Sequence, residues 1–428
     1  MKTITLLLDG AGDRSYKELG YKTPLEYANT PNLDKLALQS ACGLMTPLEE
    51  GVSLGTDLAH FLIFGYEMDE YPGRSIIDAI GEKIELTGHE LVLRSSWAEV
   101  KSLEDGLLLQ SRFTDDLTEI EIEELSESVN CEIDGYSIEC IHSYDSHGLV
   151  LIKSLEGQNS ITSDISDSDP FYAPQYVMKV EPFETDAIEA QIISDVVNQF
   201  LARTHKVLTG HAVNEKRMSS NKELANMVLT KWAGRLEPVE AFKNRTGMSG
   251  QIIGKSKLLA GISEFIGMEY LKYDEFSSAV ELALASEADY VHLHTKAPDE
   301  ASHKKDPMKK VVALEEIDKL IEPLLEFEGL LIVTADHSTP CSGKMIHSGE
   351  SVPFMARGEF VRRDRVSAFS EVDCISGGLR LNGHNFMKYV QNATDRGNLY
   401  HLRAGKLRRN YKPVEVNRLI LKDRVNKK

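Results

Sequence analysis

No apolar run in this 428-residue chain approaches the ~20 residues that a membrane-spanning helix requires. The leucines at positions 6–8 give way at once to Asp9, so they are too few for a secretion signal. Five cysteines are scattered without a Cys-x-x-Cys pair, which argues against both a disulfide framework and a zinc knuckle. We therefore expect a cytoplasmic protein with no membrane partner.

Positive charge is scarce over most of the chain. The formal net charge of −19 disfavours nonspecific nucleic-acid binding by the body of the protein. The exception is a basic C-terminal extension, 401–428, where ten Lys or Arg face two acidic residues from Arg403 onward, a net of +8. Such a segment could bind an anionic partner, but a solvated or self-docking extension on an acidic body is the simpler explanation. Glycine-rich dinucleotide and Walker signatures are missing as well, so no nucleotide cofactor is required.

What the chain does have is an apolar stretch that leads into a group of metal-ligand residue types. The run at 330–335 predicts a buried strand that ends at Asp336-His337, beside a Ser-Thr-Pro turn, and His347 follows on the next loop. Mixed carboxylate and imidazole ligands suit Zn²⁺ or Mn²⁺. An Asp-His pair can also be an ordinary loop hydrogen bond, so this stretch alone does not decide the matter.

Two further strands end in the same way. After the apolar strand at Tyr290, Asp299 and His303 stand four residues apart, which puts both side chains on one face of a helix. The first strand of the chain ends at Asp9 in a glycine turn, where missing side chains let an ion approach. Three strand ends with such residues favour a two-ion site.

The order of the predicted elements indicates the domain organisation. Strands and helices alternate in 1–83 and 206–400, which predicts an α/β core with a mainly parallel sheet flanked by helices. Short alternating runs in 84–205 predict an inserted α+β cap or substrate domain. We expect Thr23 and Thr30 to cap helices that begin with proline, and amphipathic helices at about 186–201 and 307–327. Thr56 follows Gly55 at another helix start, where it is either a plain cap or a phosphate-bearing hydroxyl.

Together these residues resemble a known family. The motifs are Asp9-Gly, Thr23-Pro-Leu-Glu, Thr30-Pro-Asn-Leu-Asp, Cys42-Gly-Leu, Gly55-Thr-Asp-Leu-Ala-His60, Lys296-Ala-Pro-Asp-Glu-Ala-Ser-His303 and Thr334-Ala-Asp-His-Ser-Thr-Pro340. In this order they are similar to the archaeal-type, cofactor-independent phosphoglycerate mutases of the alkaline phosphatase superfamily. The resemblance runs from the first residue to about Arg380.

The resemblance implies an alkaline-phosphatase-like fold and a di-metal site. One ion would be held by Asp9, Thr56, Asp336 and His337, and the other by Asp299, His303 and His347. Mn²⁺ is the expected metal, with Zn²⁺, Co²⁺ or Mg²⁺ as alternatives. The substrate would be a small phosphorylated carboxylic acid, and homo-oligomerisation is left open.

The resemblance also implies a mechanism. Thr56 would take a phosphoryl group as phosphothreonine and return it to the neighbouring oxygen, interconverting 3- and 2-phosphoglycerate in glycolysis. His60 would orient the nucleophile's helix, or simply pack there. Asp169 and Lys231 are the other catalytic candidates. Guanidinium groups match phosphate and carboxylate, so the substrate-binding candidates are Arg74, Arg94, Arg217 and Arg235.

The chain departs from the family pattern on the substrate side only. Thr56 stands where Ser is common, and Asp169-Pro170-Phe171 replaces Asp-Pro-His. Tyr144-Asp-Ser-His147 replaces a Tyr-Arg-His stretch, and Lys231 stands where an Arg is expected. Two alternatives to the mutase therefore stay open. One is a divergent phosphatase or phosphotransferase on another small phosphoester or phosphonate, including homoserine-kinase-like relatives. The other is a noncatalytic metal-binding or interaction protein.

Overall fold

The structure is a computed structural model that describes residues 1–155, 161–397 and 418–419. The predicted basic extension, 401–428, lies outside the described residues except for 418–419. Within the described part, no helix is both long enough and apolar enough to cross a membrane.

The strands of the described residues form two sheets. In chain order they are β1 (Thr3–Leu8), β2 (Ala41–Thr46), β3 (Glu90–Leu103), β4 (Gly106–Ser111), β5 (Cys131–Ile133), β6 (Tyr136–Tyr144), β7 (His147–Ser154), β8 (Gln175–Tyr176), β9 (Met227–Gly234), β10 (Gly250–Gly254), β11 (Glu269–Lys272), β12 (Tyr290–Thr295), β13 (Leu330–Thr334), β14 (Val352–Arg357) and β15 (Leu379–Asn382).

Helices lie between most of these strands. They are α1 (Pro24–Tyr27), α2 (Pro31–Ala37), α3 (Thr56–Ile63), α4 (Arg74–Gly81), α5 (Glu119–Val129), α6 (Ile188–Thr209), α7 (Ala212–Ser219), α8 (Phe242–Thr246), α9 (Lys257–Phe265), α10 (Phe276–Ala285), α11 (Ala297–His303), α12 (Pro307–Leu320), α13 (Glu371–Cys374) and α14 (Gly383–Ala393). Short 3₁₀ turns occur at Lys17–Leu19, Met68–Glu70 and Glu322–Glu326.

The chain forms two compact units. The first comprises residues 1–68, 240–255 and the described residues from 266 onward, and the second comprises 69–239 and 256–265. The predicted insertion, 84–205, falls within the second unit. The second unit also takes in β9, which sequence analysis assigned to the core, because β9 pairs antiparallel with β3. The division into catalytic core, substrate domain and extension stays a prediction.

The sheet of the first unit has the order β11-β10-β12-β1-β13-β14-β2-β15. β1 lies between β12 and β13 and is parallel to both, and every one of its residues is buried. Burial on both faces explains the unbroken apolar run in this strand. Because the three strands are parallel, their carboxyl ends meet at one edge of the sheet, where ligand sites of open α/β sheets form. The predicted, mainly parallel α/β core is therefore confirmed.

The second unit contains an antiparallel sheet of order β5-β6-β7-β3-β4-β8, with β9 on β3. α5 and α6 cover this sheet, and the shared core includes Leu93, Val150, Leu125 and Phe200. The predicted antiparallel α+β character of this part of the chain is confirmed.

Local predictions met mixed outcomes. Thr23 caps α1 in a full capping box with Glu26, as expected. The prediction for Thr30 is wrong, since its side chain makes no cap bond. Instead, the Asp318 carboxylate accepts the backbone N–H groups of Asn32 and Leu33 at 3.1 and 2.8 Å. The carboxylate of Asp318, which lies in α12, therefore caps α2 by accepting hydrogen bonds from N–H groups of its first turn.

Two helices end at residues that differ from the predicted ends. α6 runs to Thr209, beyond the predicted end at 201. α12 ends at Leu320 rather than near 327, and the chain continues as a 3₁₀ turn that contains Pro323. Proline lacks the N–H that a further α-helical turn would use, which explains the early end.

Candidate active site

The carboxyl edge of the first unit's sheet carries four side chains that can bind a metal or orient a ligand. Asp9 follows β1, His294 lies in β12, and Asp336 and His337 follow β13. All four are buried. Parallel pairing of three strands thus brings together residues that are more than 280 positions apart in sequence.

One group of ligand atoms is formed by Asp299, His303 and His347, which lie within 4.8 Å of one another. Asp299 Oδ1 is 3.2 Å from His303 Nε2 and 3.7 Å from His347 Nε2. The first pair meets because α11 holds the two residues one helical turn apart. The three residues predicted for one ion are therefore adjacent.

A second group adjoins the first. His337 Nε2 lies 3.5 Å from Asp9 Oδ1 and 3.1 Å from Asp336 Oδ2. Ligand atoms of Asp9, Asp299 and His337 also lie within 4.8 Å of one another. Sequence analysis assigned Asp299 to one ion only, whereas its carboxylate borders both groups. We call the six residues the metal-ligand cluster: Asp9, Asp299, His303, Asp336, His337 and His347.

Thr56 opens α3 next to this cluster. Gly55 is the N-cap residue, and its extended backbone leaves Thr56 as the first helical residue. Thr56 Oγ1 lies 3.2 Å from His337 Nε2. The alternative of a plain capping threonine is therefore wrong, because the hydroxyl faces the metal-ligand cluster. His60 Nδ1 donates to the Thr56 carbonyl oxygen at 2.6 Å, which fixes the first turn of the helix.

The residues of the cluster fit divalent metal ions. Asp9 Oδ1 and Asp336 Oδ2 are buried and accept no hydrogen bond within the described part of the chain. Buried anionic oxygens without a partner are costly, and a cation relieves that cost. The backbone also approaches the cluster closely at Gly10, where a Cβ would lie 2.5 Å from Thr339 Oγ1 and 2.9 Å from Asp299 Oδ1. Carboxylate and imidazole donors suit Mn²⁺ and Zn²⁺.

The electrostatics reflect three carboxylates in one enclosed volume. Burial, and then the charge of Asp336, raise the pKa of Asp9. Burial would also raise the pKa of Asp299, but a hydrogen bond from His303 and the charge of His337 hold it at about 2. Against burial, the negative charge of Asp336 raises the pKa of His337 to about 9. The site therefore demands positive charge, which divalent ions supply.

Sequence analysis missed two residues that support the cluster. His294 Nε2 donates to Asp9 Oδ2 at 3.0 Å, and the Thr339 hydroxyl donates to Asp299 Oδ1 at 2.9 Å. The sequence does contain a pattern that could have indicated His294. His292 and His294 alternate along β12, so both point to the face of the sheet against which His60 packs.

Comparisons with known proteins identify the family of this chain. The family model of the metalloenzyme superfamily matches residues 1–390. The 2,3-bisphosphoglycerate-independent phosphoglycerate mutase 2 of Methanocaldococcus jannaschii is 45% identical over 422 residues, or 97% of this chain and 98% of the relative. The chain belongs to this mutase family. The corresponding mutase of Methanopyrus kandleri is 33% identical, with 92% of this chain and 97% of the relative covered.

Solved structures share the fold. A Pyrococcus horikoshii protein matches with a TM-score of 0.74 and 26% identity over 94% of this chain and 99% of its own. The cofactor-independent phosphoglycerate mutase of Thermoplasma acidophilum matches with a TM-score of 0.64 and 26% identity over 92% and 99%. The resemblance to cofactor-independent mutases is therefore confirmed, as is the metalloenzyme class.

The second unit of this mutase-family chain collects several of the predicted substrate residues. Asp78 accepts from Arg74 Nε at 2.9 Å and is also paired with Arg94, whose guanidinium donates to the Tyr144 hydroxyl as well. Arg94 lies in β3, which pairs antiparallel with β7, and β7 begins at His147. Arg74 and Arg94 are thus brought together by one carboxylate.

A second carboxylate organises the neighbouring cations. The fully buried Asp169 accepts from Arg112 Nε at 3.0 Å, from Arg112 Nη2 at 2.6 Å and from Lys231 Nζ at 2.9 Å. Burial alone would raise the pKa of Asp169, but these hydrogen bonds hold it below its ordinary value. Arg112 was missed, because nothing in its local sequence indicates this contact. We call Arg74, Arg94, Arg112 and Lys231 the basic cluster.

The two other predicted substrate residues are not brought into these contacts. Arg217 is 1% exposed, and its guanidinium donates to Asp116, Glu121 and the carbonyl oxygens of Asp115 and Glu223. With its donors directed at the unit itself, it holds the 115–121 segment rather than a substrate, which corrects the prediction. Arg235 is half-buried, and its Nε has no hydrogen-bond partner among the described residues. It stays a prediction.

Proposed function

We propose that this chain interconverts 2- and 3-phosphoglycerate by phosphoryl transfer through Thr56, without added bisphosphoglycerate. One observation carries the proposal. The Thr56 hydroxyl stands at the start of a helix, 3.2 Å from His337 Nε2, beside six side chains of metal-ligand type. The names of the nearly full-length relatives support the same reaction.

The metal-ligand cluster would hold two divalent ions, with Mn²⁺ as the preferred metal. Asp9, Asp336, His337 and Thr56 would bind one ion, and Asp299, His303 and His347 the other. When bound, such ions lower the pKa of a coordinated hydroxyl and neutralise charge on the transferring phosphoryl group. The position of Asp299 between the two groups of ligand atoms supports two neighbouring ions rather than distant ones.

Thr56 would carry the phosphoryl group between two oxygens of one substrate. Its Oγ1 forms a bond to phosphorus while the bond to the substrate oxygen breaks, and the proton of Thr56 passes to that departing oxygen. The neighbouring substrate hydroxyl then forms a bond to the phosphorus of phosphothreonine while the bond from Thr56 Oγ1 to phosphorus breaks, and the proton of that hydroxyl passes to Thr56 Oγ1. The N-terminus of a helix favours negative charge, and Thr56, as the first residue of α3, would carry that charge there. Threonine in place of the common serine adds a methyl group and keeps the hydroxyl, so this chemistry is retained.

The basic cluster would bind the charges of the substrate. Arg74, Arg94 and Lys231 are proposed for this role because they lie in one cluster with Arg112 in the second unit. Asp169, predicted as catalytic, would act as an ionised partner that holds Lys231 and Arg112, since its pKa is lowered. A glycolytic role in the cytoplasm stays part of this proposal.

The test is ³¹P NMR of the Mn²⁺-loaded protein with 3-phosphoglycerate. The proposal expects 2-phosphoglycerate from the wild type and from Thr56→Ser, and none from Thr56→Ala. Release of inorganic phosphate without 2-phosphoglycerate would instead identify a phosphatase. Prior treatment with a chelator should abolish turnover, and Mn²⁺ should restore it.

A further inference from the structure

One lysine of the first unit, Lys310 near the start of α12, is fully buried. Lysine is almost never buried to this extent unless its charge is paired. Its ammonium group donates to the Gly12 carbonyl oxygen at 2.9 Å, to Asp13 Oδ2 at 3.0 Å and to the Thr339 carbonyl oxygen at 3.1 Å. An ammonium group has three donors, so these contacts use all of them. The geometry therefore gives Lys310 a role within the protein rather than at a substrate.

The three acceptors belong to two loops that carry metal-ligand residues. Two of them lie in the loop that follows β1 and carries Asp9, and the third lies in the loop that follows β13 and carries Asp336. The Thr339 N–H also donates to the Gly12 carbonyl oxygen at 3.0 Å. The two loops thus meet at an oxygen that accepts from Lys310 as well, and the lysine holds them against each other.

Thr339 transmits this restraint to the ligands themselves. Its hydroxyl has one proton, which it donates to Asp299 Oδ1 at 2.9 Å. In the 3.1 Å contact between the same hydroxyl and His337 Nδ1, the imidazole must then be the donor. The His337 ring is thereby fixed with its other nitrogen, Nε2, toward Asp9 at 3.5 Å. The residue whose carbonyl oxygen accepts from Lys310 therefore orients two members of the metal-ligand cluster.

The charge of Lys310 is balanced by a carboxylate that is itself fixed. Asp13 is buried, and its Oδ1 accepts from the Tyr16 hydroxyl at 2.5 Å. The Tyr16 oxygen in turn accepts from the Cys341 N–H at 2.7 Å, which connects the same two loops a second time. A buried ion pair often stabilises a fold no better than apolar side chains of similar size. Its placement between the two loops therefore points to a role in their arrangement.

We propose that Lys310 is a positioning residue of the metal-ligand cluster, whose ammonium group holds the loops after β1 and β13 so that ligands from both can bind metal together. The inference deepens the proposed function and rests on its metal-binding part, since the cluster is taken to bind divalent ions. Lys310 acts through Gly12 and Thr339, because its donors are bound there and at Asp13. Without the ammonium group the ligands are present but misplaced.

The test replaces Lys310 by methionine, which has a similar length and no charge. Lys310→Met should weaken the binding of Mn²⁺ to the metal-free, full-length protein about tenfold in a calorimetric titration, as is typical when support for metal ligands is lost. The visible absorption bands of the Co²⁺-loaded variant should also change, because they follow the geometry of the ligands around the ion. Lower stability alone would not alter these bands in the folded protein. The double variant Lys310→Met with Asp13→Asn leaves no unpaired buried charge and should show the same two effects.

Lys2→Met provides the matched control. The ammonium group of Lys2 also donates to three oxygens in the same unit, the carbonyl oxygens of Ala283, Leu284 and Ser286, at 2.8, 2.9 and 2.6 Å. Lys2 precedes β1, at the end of the strand opposite to Asp9. Its replacement should therefore leave both the Mn²⁺ affinity and the Co²⁺ bands unchanged.

Wild-type Mn²⁺ affinity or unchanged Co²⁺ bands in a folded Lys310 variant would overturn the inference, as would an equal loss in Lys2→Met. Failure of both Lys310 variants to fold would also overturn it, because the lysine would then be needed for the fold itself. An active mutase in which Lys310→Met binds Mn²⁺ normally overturns this inference alone. A wild type that binds Mn²⁺ more tightly than Lys310→Met but forms no 2-phosphoglycerate overturns the mutase proposal alone.

Discussion

His294 Nε2 lies 3.0 Å from Asp9 Oδ2, and both side chains are buried. The bond fixes the carboxylate so that its other oxygen faces His337. The Tyr273 hydroxyl donates to the His294 carbonyl oxygen at 3.1 Å and steadies the strand end. Partners of this kind hold a metal ligand in its orientation.

Replacing His294 should therefore weaken metal binding. We expect His294→Leu to lower Mn²⁺ affinity by about 10- to 100-fold, since Asp9 loses the donor that orients it. Calorimetric titration of the metal-free protein with Mn²⁺ measures this directly. Tyr273→Phe, which removes only one hydroxyl farther away, is the control and should bind nearly normally. Unchanged affinity in His294→Leu would show that Asp9 does not depend on this contact.

Gly10 offers a second test of the cluster. It has φ 63°, and a Cβ would collide with Thr339 Oγ1 and Asp299 Oδ1. Gly20 has φ 69° but nothing within 4 Å of its Cβ position. Both Gly→Ala variants should lose about 1–2 kcal/mol for the left-handed backbone, whereas only Gly10→Ala should also lose Mn²⁺ binding. Chemical unfolding and metal titration of the two variants separate these effects, and equal metal affinity would contradict the placement of Asp299.

Much of this arrangement was predictable from the sequence. The apolar runs ending at Asp9 and Asp336 predict buried strands, and the spacing of Asp299 and His303 predicts one helix face. The contact between Arg112 and Asp169 was not predictable, because it joins residues 57 positions apart through the fold of the second unit. The prediction that Arg217 binds substrate was wrong for a related reason. Sequence does not reveal that a buried guanidinium is already occupied by neighbouring carboxylates.

Acid should destabilise the protein partly through His292. This side chain is fully buried, and burial followed by the charges of His60 and His294 lowers its pKa. In the unfolded chain the imidazole of His292 is protonated near pH 6.5, whereas in the folded protein it stays neutral to lower pH. Below pH 6.5 the unfolded state therefore holds more protons, and the free energy of unfolding decreases as the pH is lowered. His292→Leu should remove up to about 1.4 kcal/mol per pH unit of that dependence between about pH 6.5 and the lowered pKa.

Urea unfolding of the metal-free wild type and His292→Leu at about pH 7.5 and about pH 5 measures the difference. Above pH 6.5 residue 292 should add no pH dependence in either protein, so the free energies of unfolding of the two proteins should follow parallel courses with pH. Equal acid sensitivity of the two proteins would contradict a neutral, buried imidazole.

The most direct test of the account is the modification of Thr56 itself. Wild-type protein turning over 3-phosphoglycerate with Mn²⁺ is quenched in acid, digested, and analysed by mass spectrometry. We expect a fraction of the peptide containing Thr56 to carry one phosphoryl group, and we expect none in Thr56→Ala, which should also be inactive. An unmodified Thr56 peptide together with full activity in Thr56→Ala would contradict the account.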